Sequence, residues 1–170
     1  MRQDRVTAYI GLGSNLHNPI EQLQQALAAL DHMPHTKVKK VSSFYRSAPL
    51  GPAGQPDYVN AVAQLDTELS ASELLQWLHS IEDIHGRERM VRWGARTLDL
   101  DILLYDDLRI DLPHLHIPHR EMANRAFVLQ PLLEIAAGDL PIPGQGTLQQ
   151  LVDACPDSRI EKLAMEHSPS

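Results

Sequence analysis

The sequence predicts an α+β domain. Its core is an antiparallel sheet built in the order strand–helix–strand–strand–helix–strand, with both helices on one face and further helices after the last strand. Three observations predict it. Residues 58–67 and 96–105 alternate apolar and polar residues with the period of two that sends neighbouring side chains to opposite faces of a sheet. Residues 20–31 and the stretch after Ser70 instead carry apolar residues at helical spacing. Further strand-like segments, at 6–10 and 38–45, complete the order.

Taken in turn, residues 6–10 read as a strand ending at Gly11-Leu12-Gly13-Ser14-Asn15, a tight strand-to-helix turn. This pair of glycines lacks the third glycine of a dinucleotide loop and the Gly-Lys-Ser/Thr ending of a P-loop. Asn18 then stands as an N-cap with Pro19 at the first helical position. Ile20, Leu23, Leu27 and Leu30 form the buried stripe of a helix reaching Asp31. Residues 38–45 are a second strand and 46–56 a loop rich in Pro and Gly. In the third strand Val59, Ala61, Ala63 and Leu65 face one way, and Tyr58, Asn60, Val62 and Gln64 the other. Ser70-Ala71-Ser72-Glu73 is a capping box. It opens a helix whose wide apolar face takes in Leu74, Leu75, Trp77, Leu78, Ile81 and Ile84, and Gly86 stops it. After a charged loop comes the fourth strand, with Leu98, Leu100, Ile102 and Leu104 toward the core and Asp99 and Asp101 opposite. A short Pro- and His-containing segment leads to helices at 126–137 and 148–155. Thr147 and Gln150 cap the last one and Pro156 ends it. The whole is a ferredoxin-like βαββαβ core with added C-terminal helices. One domain over residues 1–165 is expected, with 166–170 as a disordered tail.

Composition narrows the function classes. Lys and Arg total 15 against 22 Asp and Glu, a net charge of −7. That balance argues against a general nucleic-acid binder, while leaving room for a small anionic ligand where arginines cluster. The single cysteine, Cys155, excludes an internal disulfide and a cysteine metal cluster, and packs as a small hydrophobe. No apolar leader and no bilayer-length run are seen, so a cytoplasmic chain without a membrane partner is expected. No dimerisation stripe is evident, and a monomer is expected.

The aspartate strand carries the strongest chemistry. Two like-charged carboxylates on one strand face repel unless a cation joins them. Oxygen ligands of this kind suit Mg²⁺, whose other positions go to water and phosphate. Directly before them lie Arg87, Arg89, Arg92 and Arg96, four arginines in ten residues, able to neutralise a polyphosphate and charge developing on a bridging oxygen. Tyr58 offers a ring to a flat heterocycle, Asn60 a donor and an acceptor to its edge, and Phe127 a second ring. Taken separately, each is better read as ordinary, Tyr58 as a strand aromatic and Phe127 as a core ring. His114 and His116 sit at a spacing that would let them share a strand face and bind zinc, which would make a hydrolase. Phosphate contacts or plain surface histidines suit them better. A non-catalytic ferredoxin-like binding module is a further alternative, although it leaves the carboxylates and arginines unexplained.

Together these segments resemble the 6-hydroxymethyl-7,8-dihydropterin pyrophosphokinases of folate biosynthesis. The matching strings are Tyr9-Ile10-Gly11-Leu12-Gly13-Ser14-Asn15-Leu16, Val41-Ser42-Ser43-Phe44-Tyr45-Arg46 and Gln55-Pro56-Asp57-Tyr58-Val59-Asn60-Ala61. They continue with Arg92-Trp93-Gly94-Ala95-Arg96-Thr97-Leu98-Asp99-Leu100-Asp101-Ile102, then Ile117-Pro118-His119 and Asn124-Arg125-Ala126-Phe127. The resemblance implies transfer of pyrophosphate from ATP to the hydroxymethyl oxygen of the pterin, releasing AMP. It implies that Asp99 and Asp101 bind two Mg²⁺ ions and that Arg87 and Arg96 assist the transfer. Arg92 and Trp93 would belong to a mobile catalytic loop on the ATP side. Glu82, Ile102, His119 and Arg125 would also line the ATP site. Tyr58 and Phe127 would sandwich the pterin, with Asn60 and backbone near Ser47 and Leu50 reading its edge. Ala48, His79 and Arg120 depart from the commoner family residues.

Overall fold

The described residues are 5–14, 18–47, 58–85, 98–155 and 160–163 of a computed structural model. In chain order they form β1 (Val6–Ser14), α1 (Pro19–Asp31), β2 (Thr36–Val41), β3 (Tyr45–Ser47), β4 (Tyr58–Thr67), α2 (Ala71–His85) and β5 (Leu98–Tyr105). Then follow β6 (Ile110–Leu112), β7 (Leu115–Ile117), a 3₁₀ turn (Met122–Asn124), α3 (Ala126–Ile135), β8 (Pro141–Ile142), β9 (Gly146–Thr147), α4 (Leu148–Ala154) and β10 (Ile160–Lys162). The main sheet runs β10–β3–β4–β1–β5, and β2 pairs with β4 beyond β3 on the same side. Every pairing in it is antiparallel. The α+β, ferredoxin-like expectation is met.

Alternation along β4 sorts the two faces as the sequence predicts. Val59, Ala61, Ala63 and Leu65 enter a core with Leu23, Leu30, Leu74, Leu78 and Ile81 from α1 and α2. Val62 points the other way. The Ser70–Glu73 capping box forms, with Ser70 N–H donating to Glu73 Oε1 at 2.9 Å and Glu73 N–H to Ser70 Oγ at 3.1 Å. Thr147 and Gln150 cap α4 in the same reciprocal way.

Several expectations are corrected. The first strand does not stop at Ile10. It runs through both glycines to Ser14, because Gly11 and Gly13 pair with β4 on one side and β5 on the other. The expected strand 38–45 is two strands, broken at Ser42, whose N–H donates to the Val62 carbonyl and whose Oγ accepts from the Val62 N–H, both at 2.9 Å. Asn18 precedes α1 in a left-handed conformation (φ 60°) and makes no side-chain cap. Trp77 and Ile84 are exposed, so the apolar face of α2 is narrower than its composition suggests. α3 ends at Ile135 because Ala136 is already extended. Finally, Leu104 does not share the face of Leu98, Leu100 and Ile102. A β-bulge lets Ile102 face Ile10 and Leu104 face Tyr9, with Leu103 the extra residue. Tyr105 therefore joins the first core, while Leu103 and Leu104 join a second.

That second core covers part of the face expected to be open. Met122, Val128, Leu129, Leu132 and Ile135 pack there on Tyr9, Val62, Leu103 and Leu104, with Leu148 of α4 behind, and Cys155 lies partly buried against it. Glu134 ties α3 down, accepting from Ser43 N–H (2.8 Å), Ser43 Oγ–H (2.6 Å) and Tyr45 O–H (2.9 Å). Among the described residues, the layer leaves the other end of the face uncovered. Gly86, Pro156 and the tail lie outside the described residues. No helix among the described residues is long and apolar enough to cross a membrane.

Candidate active site

The uncovered end of the sheet is a cavity of about 370 Å³. Its floor follows from strand register. Directly opposed residues share a face, so Asn60, Gly13 and Asp99 form one row across β4, β1 and β5, and Val62, Gly11 and Asp101 form the next. The alternate glycines keep this floor low. A Cβ on Gly13 would meet Asn60 Oδ1 at 2.9 Å, and one on Gly11 would meet Leu103 Cδ2 at 3.2 Å. The strip thus carries two carboxylates and an amide beside bare backbone.

Tyr58 and Ser47 close one side of the cavity, and Phe127, Val128, Arg125 and His119 the other. Asn60 is buried, and its Nδ2 donates to Ser47 Oγ at 2.8 Å. The Arg125 guanidinium lies 5.6 Å from the centre of the Phe127 ring, a cation–π contact. His119 accepts the Glu121 N–H on Nδ1 at 3.1 Å, which leaves the neutral ring its proton on Nε2, 3.9 Å from Asp101 Oδ2. Burial pulls His119 below the ordinary histidine range, against the opposing effect of Asp101.

Asp101, His119 and Arg125 also line a second hollow of about 430 Å³, together with Glu82, Ile102 and Arg120. His79, His114 and His116 line it as well. Ile102 is buried in the core, so it offers the hollow its backbone. Glu82, from α2, accepts the Leu100 N–H at 2.8 Å. Burial raises its carboxyl from 4.5 to about 7, and the negative charges of Asp99, Asp101 and Asp83 add to the rise.

The zinc geometry is not found. His114 lies in the β6–β7 turn rather than on a strand. The His116 ring is occupied by Asp111 Oδ1 at 2.8 Å and by the Arg120 guanidinium. Among the described residues, no three His, Cys, Asp or Glu side chains are arranged to hold a metal. A cation at Asp99 and Asp101 would have oxygen ligands only. It would draw its remaining ligands from phosphate and water, as Mg²⁺ does. The donor chemistry and the open glycine floor fit that ion.

Ser47, Tyr58, Asn60, Asp99, Asp101, His119, Arg125 and Phe127 are therefore brought around one cavity, and Glu82, Ile102, Asp101, His119 and Arg125 around the next. Leu50, Arg87, Arg92, Trp93 and Arg96 lie outside the described residues. Sequence reasoning missed Gly11 and Gly13 as floor residues. Their spacing of two inside a strand-like run was the available signal.

Comparison with known proteins places the chain in a family. The family model described as 7,8-dihydro-6-hydroxymethylpterin-pyrophosphokinase (HPPK) matches residues 9–137. The 2-amino-4-hydroxy-6-hydroxymethyldihydropteridine pyrophosphokinase of Haemophilus influenzae is 52% identical over 158 residues, covering 93% of this chain and 98% of that protein. The protein of the same name from Pseudomonas aeruginosa is 52% identical over 155 residues, covering 91% and 95%. A crystal structure of a Plasmodium falciparum HPPK-DHPS triple mutant superposes with a TM-score of 0.68 at 14% identity. That alignment covers 89% of this chain and 44% of the longer one, a likeness of fold. The chain belongs to the 7,8-dihydro-6-hydroxymethylpterin-pyrophosphokinase family.

Proposed function

We propose that the aromatic cavity holds the pterin, that the neighbouring hollow holds ATP, and that Asp99 and Asp101 hold two Mg²⁺ ions between them. The reaction follows from family membership. Pyrophosphate moves from ATP to the hydroxymethyl group of 6-hydroxymethyl-7,8-dihydropterin, a step of folate biosynthesis. The hydroxymethyl oxygen bonds to the β-phosphorus of ATP, the bond to the bridging oxygen breaks, and AMP leaves with that oxygen. The hydroxyl proton passes to solvent water. The observation that carries the arrangement is that Asp101 lines both cavities, so donor and acceptor can meet at its carboxylate.

Each residue then has a physical task. Tyr58 and Phe127 stack on the two faces of the pterin, and Asn60 and backbone at Ser47 and Leu50 read its edge. Arg125, already over the Phe127 ring, and His119, with its N–H toward Asp101, give the ATP side positive and donor groups. Glu82 and the Ile102 backbone lie on the same side. Arg87, Arg92, Trp93 and Arg96 keep the roles the sequence resemblance assigns, their charge offsetting that of the phosphates. Mg²⁺, when bound, supplies charge neutralisation across the phosphates. Such a transfer needs in-line placement and neutralised charge more than a strong protein base. The chain is taken as a cytoplasmic monomer without a nucleic-acid or membrane partner.

The test is AMP release by the purified protein. AMP should appear when ATP, Mg²⁺ and hydroxymethyldihydropterin are all present, and omission of any one should abolish it. AMP formation that ignores the pterin or the metal would overturn the reading.

A further inference from the structure

Among the described residues, strand β5 is the last strand on its side of the sheet, so one row of its backbone groups has no partner strand there. In an antiparallel pair, successive residues turn their backbone groups alternately toward the partner and away from it. The Leu100 N–H ends on Glu82 Oε2 at 2.8 Å instead of on a strand. Leu100 stands between Asp99 and Asp101, which lie opposite Gly13 and Gly11 of β1. Further along the strand, the Leu103 carbonyl accepts the His119 N–H at 3.0 Å. The β5 backbone is thus tied down on both sides of Asp101, once by α2 and once by the segment after β7.

A third carboxylate beside two aspartates is an unfavourable place for negative charge. As an acceptor alone, a neutral amide of the same length would serve. What Glu82 contributes is reach from α2 to the peptide that joins the two aspartates.

We propose that Glu82 is a positioning residue for the aspartate pair: by holding the Leu100 N–H, it fixes the strand segment that sets the spacing of the Asp99 and Asp101 carboxylates. Ligand sets work only when held to within about half an ångström by their supporting contacts. A loosened Leu100 peptide would let the two carboxylates drift and weaken their joint hold on a divalent cation. The pterin wall, built on β4 and α3, would be untouched. This inference rests on the reading of Asp99 and Asp101 as cation ligands.

Two substitutions separate reach from charge. E82Q keeps the acceptor at full length and removes the charge, whereas E82D keeps the charge and falls one methylene short of Leu100. In E82D the Leu100 amide should exchange with solvent about tenfold faster, the loss of one hydrogen bond. The Mg²⁺ concentration for half-maximal AMP release should rise about five- to tenfold, with pterin KM within about twofold of wild type. E82Q, which keeps the acceptor, should leave Leu100 exchange within about twofold of wild type and raise the Mg²⁺ requirement less than E82D does. The proposal is overturned if E82Q is impaired as much as E82D, which would make the charge the functional element. It is equally overturned if E82D speeds Leu100 exchange while the Mg²⁺ requirement stays unchanged. A wild-type chain that releases no AMP would instead refute the proposed function. Leu100 exchange and calorimetric Mg²⁺ binding with an unreactive ATP analogue would still read the positioning role.

Discussion

Replacing Glu82 with glutamine leaves the acceptor for the Leu100 N–H in place and removes one of three carboxylates at the end of β5. The effect on stability can be worked from the site. Burial and the neighbouring aspartates raise Glu82 from 4.5 to about 7, so the folded chain takes up this proton more readily than the unfolded one. A raised acid favours the folded state in acid and loses that contribution as pH climbs through the folded value. Each unit of displacement carries about 1.4 kcal/mol, which would give roughly 3 kcal/mol for a fully shielded group. Glu82 is only partly buried, and solvent screening reduces this to about 1–2 kcal/mol. Metal-free E82Q should therefore match wild type at about pH 4, pull ahead between about pH 4.5 and 7, and lead by ~1–2 kcal/mol at about pH 8. Urea unfolding of both proteins across that range measures the gap, which should also appear as a few degrees in Tm. A gap that does not change with pH, or an E82Q less stable than wild type at high pH, would refute the electrostatic reasoning.

Three other changes test other parts of the account. Gly13→Ala puts a Cβ 2.9 Å from Asn60 Oδ1, so the amide must turn and its bond to Ser47 is lost. Calorimetry should show pterin affinity about tenfold lower with ATP-analogue affinity unchanged, and equal losses for both ligands would contradict the assignment. Asp101→Ala should abolish AMP release while the fold, followed by circular dichroism, stays intact. Substantial turnover in that variant would remove Asp101 from the reaction. Glu134→Ala should lower stability by about 2 kcal/mol, since the carboxylate gathers Ser43 and Tyr45. Against the opposing effect of burial, those bonds hold Glu134 below its ordinary value, while burial, with Glu134 beside it, pushes Tyr45 up to about 12. The stabilisation by Glu134 should therefore be present above the ordinary glutamate value and fade as pH falls below it, closing the gap in acid denaturation curves.

What was legible in the sequence depended on how cleanly one pattern ruled each segment. β4 was readable end to end because only Val62, which enters the second core, breaks its alternation from Tyr58 to Thr67. The Ser70–Glu73 and Thr147–Gln150 caps were readable because each motif is completed by its own residues. In β5, the apolar run from Ile102 to Tyr105 hides the bulge, since every residue there is buried whichever face it takes. Glycine carries no facing signal, so the end of β1 looked like a turn until pairing on both sides showed it to be strand. β10 offers only three residues, Ile160, Glu161 and Lys162, and its place beside β3 is set by tertiary pairing alone. The placement of Tyr58, Asn60, Asp99 and Asp101 on one sheet face came from alternation. The wall that faces them, with Phe127, Arg125 and His119, depends on α3 crossing the sheet, which no local pattern encodes.

The central claim is that pterin and ATP sites meet at the Asp99–Asp101 pair and are joined there by Mg²⁺. Titrating the chain with an unreactive ATP analogue and Mg²⁺, then with hydroxymethyldihydropterin, tests it most directly. The account predicts a ternary complex in which both ligands stay bound, with nucleotide binding lost when the metal is chelated or Asp101 is replaced by alanine. Mutual displacement of the two ligands, or analogue binding indifferent to Mg²⁺, would contradict it.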